Sequence, residues 1–102
     1  MLANKKIIIN TDNAPKAIGA YSQGIEYENL IFTSGQIPID PRTNEVISEK
    51  FEDQINQVLY NLNQILIAAG SNKMNIIKLT VYLTDLSNFE KFDKSILKKL
   101  KL

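Results

Sequence analysis

Two hydroxyl-bearing segments are the first candidates for chemistry in this 102-residue chain. Tyr21 lies in Ala14–Gly24, which is too irregular for helix or strand and too apolar for a solvated linker. It reads as an ordered loop packed on the body. Ser34 and Gly35 close a strand in Thr33-Ser34-Gly35-Gln36. A strand end beside a glycine offers a hydroxyl and close approach to a backbone N–H, which suits a small anion or carbonyl. Taken singly, each has a plain structural reading, Ser34 as a strand-end hydroxyl and Tyr21 as a half-buried packing residue. The loop is not a phosphate loop, because no Gly-Lys-Ser/Thr follows its glycines at the required spacing.

Absences narrow the chemistry further. There is no Cys, which removes disulfides, thiolate nucleophiles and Cys-ligated metals. There is no His, so no imidazole base, Ser-His pair or common zinc site is available. The sequence contains no signal peptide and no apolar run of about 18 residues, which leads us to expect a soluble, cytoplasmic protein. The net charge of +1 is too small for a nucleic-acid footprint. Residues 1–93 hold eight Lys/Arg against eleven Asp/Glu, and 94–102 hold Lys94, Lys98, Lys99, Lys101 and no acid. That basic tail reads as the solvated face of a last helix rather than a binding arm.

The elements that must position Tyr21 and Ser34 follow from apolar spacing. Ile7-Ile8-Ile9 is a short strand ended by the turn cluster Asn10–Asn13. Ile25 and Tyr27 alternate with Glu26 and Glu28, and Leu30–Ser34 is a second strand, so a hairpin turning near Glu28-Asn29 is predicted. Residues 37–43, with Pro38 and Pro41, read as a loop. Phe51, Ile55, Val58, Leu59, Leu62, Ile65, Leu66 and Ala69 recur at helical spacing, with Gly70 where a C′ glycine belongs. Ile76–Leu83 reads as a strand with Ile77, Leu79, Val81 and Leu83 inward, pairing parallel to an earlier strand. Ser87–Glu90 reads as a capping box opening a second helix with Phe89, Phe92, Ile96 and Leu100 on its apolar side. Near its end, Ile96, Leu97 and Leu100 are expected on one face. The fold class is α+β: one mixed sheet, two helices packed on one face, and the other face left bare for neighbouring subunits.

Four motifs in one order carry a resemblance over residues 7–93. Pro15–Gly24 (PKAIGAYSQG) is similar to the P-x-A-I-G-P-Y-S-Q-A/G signature of the RidA/YjgF family, also called the L-PSP endoribonuclease family; only Ala20 departs. Ser34–Pro41 (SGQIPIDP) resembles its S-G-Q-I-P-x-D-P. Gln54, Asn61-Leu62 and Ala68-Ala69-Gly70 fall where its helix has Q, N-L and A-A-G. Lys78–Asp85 looks like its V-K-x-T-V-Y-L-x-D strand.

The resemblance implies a chorismate-mutase-like fold, a homotrimer with clefts between subunits, and no cofactor or metal. It implies hydrolytic deamination of reactive 2-imino or enamine acids to 2-keto acids and ammonia. Tyr21 matches the family's cleft tyrosine, and Ser34 and Gly35 its substrate-lining pair. Asp93 stands at the position of a family asparagine and Ile96 at that of a tyrosine. The family's carboxylate-binding arginine, in a P-A-R segment, and its water-positioning glutamate have no counterpart before Leu102. Arg42 is not that arginine. The resemblance therefore predicts that the last two family strands are absent and that the chain is truncated or variant. A non-catalytic small-molecule-binding or regulatory trimer is the first alternative, and an endoribonuclease or translation inhibitor the second.

Overall fold

A computed structural model describes residues 5–100 and 102. Three strands, β1 (Ile7–Ile9), β2 (Gly24–Tyr27) and β3 (Leu30–Thr33), form an antiparallel sheet in that order. Ile8 pairs with Ile25, and Ile25 with Phe32; Tyr27 pairs with Leu30 across the hairpin. Glu28 and Asn29 both have positive φ, 50° and 66°. Two consecutive left-handed residues give the I′ twist that matches the twist of the strands they join.

One 18-residue helix, α1 (Phe51–Ala68), crosses this sheet. The apolar spacing is borne out: Ile55, Leu59, Leu62, Ile65 and Leu66 are all buried. Ile65 is wholly buried, with Ile9, Ala14, Ile31 and Ala69 around it. A Cβ on Gly24 would lie 2.9 Å from Ile65 Cγ2, so glycine allows the helix to approach β2 closely. At the other end Gly70 has φ +87°, its N–H reaches the Ile67 carbonyl, and the Ser71 N–H reaches that of Leu66. This is a Schellman closure, which satisfies carbonyls the helix leaves over.

A second helix, α2 (Phe89–Lys99), packs on α1. Ile96 and Leu100 join Ile55, Leu59 and Leu62 in a core flanked by Phe51, Ile76, Leu79 and Phe92. Leu97 departs from expectation, being 79% exposed, because at helical pitch it falls off the stripe that Ile96 and Leu100 share. Phe89 is exposed as well. Lys94 and Lys98 are solvated, as the reading of the tail expects. Lys99 is half-buried, with its ammonium on Asn56 Oδ1 and Ser95 Oγ; Lys101 lies outside the described residues. Among the described residues no helix is long and apolar enough to cross a membrane.

The sheet has the bare face the sequence suggested, with different residues on it. Ile8, Phe32 and Leu30 are 62%, 58% and 47% exposed, on the side of the sheet opposite α1. Lys78, Thr80 and Tyr82, which alternate with the expected inward residues and so would have lain on the outward side of a 76–83 strand, belong to no strand of this sheet. Residues 76–83 form no ladder among the described residues. Leu79 and Ile76 pack on the helical core while Ile77 is exposed, so only part of the expected inward face is inward. Alternating side chains favour extended backbone, but a strand also needs a neighbour's N–H and C=O groups. The described ladders are accordingly all antiparallel, without the parallel pairing expected of this segment.

Two further corrections are local. Residues 37–43 are not all loop: β4 (Ile39–Asp40) pairs with β5 (Glu45–Val46). Pro38 and Pro41 flank β4 and so withhold no ladder N–H. The second helix is not capped by Ser87. A 3₁₀ turn, Leu86–Asn88, precedes it, and Asp85 Oδ1 accepts the Ser87 N–H at 2.9 Å. Hydrogen bonds from the Ser87 side chain and backbone hold the Asp85 carboxyl below its ordinary value. A carboxyl lowered on folding stabilises above its unfolded pKa of about 3.9, and that contribution is lost as pH falls through the lower folded value. The melting-temperature gap between the wild-type chain and Asp85→Ala is expected to narrow as pH falls below about 3.9. A gap that stays constant from pH 6 to pH 2 would contradict this cap.

Candidate functional site

The site is built around a residue that sequence reasoning used only as part of a motif. Gln23, 1% exposed, ends the loop that follows β1. Its side-chain oxygen accepts the Thr11 N–H at 2.7 Å. Its Nε2 faces the carbonyls of Thr11, Ala14 and Pro15 at 3.0, 3.2 and 2.8 Å. A buried amide without partners would be costly, and here both ends of the amide are used. The partners are all backbone groups of Thr11–Pro15, so one side chain closes the loop that carries Tyr21.

The backbone of Gln23 holds the second segment. Its carbonyl accepts both the Ser34 N–H at 2.9 Å and the Ser34 hydroxyl at 3.2 Å. Ser34 Oγ in turn accepts from Gln36 Nε2 at 3.2 Å. The serine proton is thus committed, and what Ser34 Oγ has left to offer is a lone pair. A Cβ on Gly35 would meet nothing within 4 Å, so packing does not demand glycine there and the adjacent backbone is open to approach.

Tyr21 has the opposite polarity. The Ile18 N–H donates to its phenolic oxygen at 3.2 Å, leaving the phenol's own proton to donate outward. The loop bends back at Gly19, where φ is +116° and the Tyr21 N–H reaches the Gly19 carbonyl at 3.0 Å. An L side chain at that φ is strained, so glycine shapes the bend that aims Tyr21. The ring is 52% exposed.

The structure thus places Ser34 on the Gln23 carbonyl, Gly35 next to it in the chain, and Tyr21 on the loop whose earlier half the Gln23 side chain holds. Asp93 is exposed on α2, whose packing partner is α1. Two surface depressions lie elsewhere. One is lined by Lys50, Phe51, Glu52, Asp53 and Lys91. The other is lined by Asp12, Asn13, Asp40, Pro41, Arg42, Gln57 and Tyr60. In the latter, the Arg42 guanidinium grips the Asp40 carboxylate at 3.2 and 3.4 Å and holds it below the usual carboxylate range. No group of His, Cys, Asp or Glu suited to a metal occurs among the described residues. The sequence signal for Gln23 was a lone amide between an irregular apolar loop and a glycine, a weak one because its partners are main-chain atoms.

Residues 11–100 match the family model described as Endoribonuclease L-PSP. The chain belongs to this family. A RutC family protein of Pyrococcus horikoshii is 49% identical over 89 residues, which span 87% of this chain and 71% of that protein. Reactive Intermediate Deaminase A, chloroplastic, of Arabidopsis thaliana is 43% identical over 84% of this chain and 46% of its own. Among solved structures, E. coli TdcF with bound serine superposes with a TM-score of 0.85 at 41% identity, covering 91% of this chain and 72% of that one. The α+β fold is that of the RidA/YjgF structures. Proteins named reactive intermediate deaminases thus stand among the relatives of this L-PSP family chain.

Proposed function

We propose that this chain acts as a hydrolytic deaminase of reactive 2-imino acids, such as those from serine and threonine dehydration, releasing 2-keto acids and ammonia. The observation that carries the reading is the complementary polarity of two pinned hydroxyls: Tyr21 directs a proton outward, and Ser34 offers a lone pair. A protonated imine is already electrophilic at carbon. Water adds to that carbon, one proton passes to nitrogen, and the carbinolamine collapses to a carbonyl and ammonia. The protein then has only to hold the imine and orient water. Ser34 suits the imine N–H, and Tyr21 suits the water or the developing oxygen. No cofactor or metal enters this scheme. Asp93 is proposed as a further substrate contact from its motif position.

The relative crystallised with serine supports an amino-acid-sized ligand for this family. The uncovered Ile8–Phe32 face supports a homotrimer whose subunit clefts enclose the exposed Tyr21. A cytoplasmic location is part of the same proposal. A second reading, a small-molecule-binding trimer without catalysis, draws on one observation: the only arginine of the sequence is paired with Asp40. A substrate carboxylate would then be held without a bidentate guanidinium. RNA cleavage, which the family model's description names, fits less well with a chain that has no His and a net charge of +1.

The deciding experiment couples the chain to a threonine dehydratase and follows 2-oxobutanoate release, with sedimentation velocity on the same sample. The expected result is faster release by a trimer. Binding of 2-oxobutanoate without acceleration would favour the non-catalytic reading, and a stable folded monomer would remove the cleft.

A further inference from the structure

We infer that Gln23 is a positioning residue: it sets the Tyr21 loop against Ser34 so that the two hydroxyls address one ligand, an inference that rests on the deaminase reading. Four contacts fix the loop and two fix the strand end. Gln23 Oε1 takes the Thr11 N–H, and Nε2 serves the carbonyls of Thr11, Ala14 and Pro15. Its main-chain carbonyl takes the Ser34 N–H and hydroxyl. Tyr21 stands two residues before this junction, and the Gly19 bend turns its ring back over the loop.

Gln23 thus meets the loop through its side chain and the Ser34 segment through its main chain. Ala14 anchors the loop to the core beside Ile65, but it makes no polar link to Ser34. Loosening the amide would let Tyr21 drift relative to Ser34 while β2 keeps its ladder to β3. Tyr21 and Ser34 act on the same small molecule, so a displacement of about 1 Å is enough to cost as much as a hundredfold in rate.

The test is made on the full chain with Gln23→Met, which keeps the volume and removes the amide. Amide hydrogen exchange is read first. The Thr11 N–H is held by Gln23 Oε1, so it and its loop neighbours are expected to exchange at least about tenfold faster, with α1 unchanged. Loop amides that stay protected would overturn the inference, whatever the chain's activity. Coupling is read second, as a double-mutant cycle of Gln23→Met and Tyr21→Phe on 2-oxobutanoate affinity and on imine hydrolysis. If Gln23 acts through Tyr21, the tyrosine change has its full effect in the wild-type background and little in Gln23→Met. Independent, multiplying effects would reduce Gln23 to a general packing residue and overturn the inference.

A wild-type chain that binds 2-oxobutanoate without hydrolysing imines would defeat the deaminase reading alone, because the cycle can still be read from affinity. A chain that does neither would defeat both. Should Gln23→Met not fold, Gln23→Glu keeps the acceptor for Thr11 and sets a carboxylate oxygen against three carbonyls, so the same pattern is expected. If neither variant folds, Gln23 is a general folding requirement and the specific role is lost.

Discussion

Tyr21→Phe is expected to lower imine hydrolysis by about a hundredfold or more while changing stability by less than about 0.5 kcal/mol. The phenol is the outward-directed proton donor on the loop: its oxygen already accepts the Ile18 N–H, so its hydrogen has no acceptor within the loop. Removing the oxygen takes away that donor and releases one exposed N–H, which water can satisfy. The ring is half exposed and keeps its contact with the Gly19 bend, so the fold loses little. The dehydratase-coupled rate gives the first number and a thermal melt the second. Ser34→Ala serves as the internal comparison. It removes an acceptor together with a bond to the Gln23 carbonyl, so it should lower both rate and stability. A Tyr21→Phe chain as fast as wild type would leave the loop without a catalytic role.

Much of this arrangement can be read from side-chain pattern, and what cannot is of one kind. The α1 helix declares itself because burying Ile55, Leu59, Leu62 and Ile65 demands a period near 3.6. The hairpin declares itself through Glu28-Asn29, where only left-handed backbone closes so short a turn. Residues 76–83 carry an equally clear alternation, yet they form no ladder, because alternation reports side-chain preference and says nothing of which backbone lies alongside. The Asp85 cap is hidden behind a better-looking Ser87, since one 3₁₀ turn shifts the helix start beyond the capping residue. Tyr21 and Ser34 are visible as hydroxyls in unusual places. The clamp that joins them is not, because Gln23 speaks to peptide groups that every residue possesses.

The same blindness conceals Asn61, and its replacement should give the largest loss of stability among the polar positions. Asn61 is wholly buried on α1. Its Nδ2 donates to the Ile37 and Ile39 carbonyls at 3.3 and 2.9 Å, and its Oδ1 accepts from Gln57 Nε2 at 2.9 Å. Those carbonyls belong to the stretch that runs from Ser34 and Gly35 into β4, so Asn61 fastens the outgoing half of the site to the main helix. Asn61→Leu keeps the branched shape, takes the side-chain donor from the Ile39 carbonyl, and leaves the Ile37 carbonyl with the Ile39 N–H alone. The expected cost is about 2–4 kcal/mol, a large share of the 5–15 kcal/mol that a small domain commands. Gln57→Ala breaks only the contact at the solvent side and should cost about 1 kcal/mol or less. Urea denaturation of the three chains decides the matter. If Asn61→Leu lies within about 0.5 kcal/mol of wild type, the carbonyls have other donors and the β4 segment does not depend on α1. If it is destabilised as expected, the rate measured below its unfolding midpoint should also fall, because the stretch that follows Ser34 and Gly35 would lose its tie to α1.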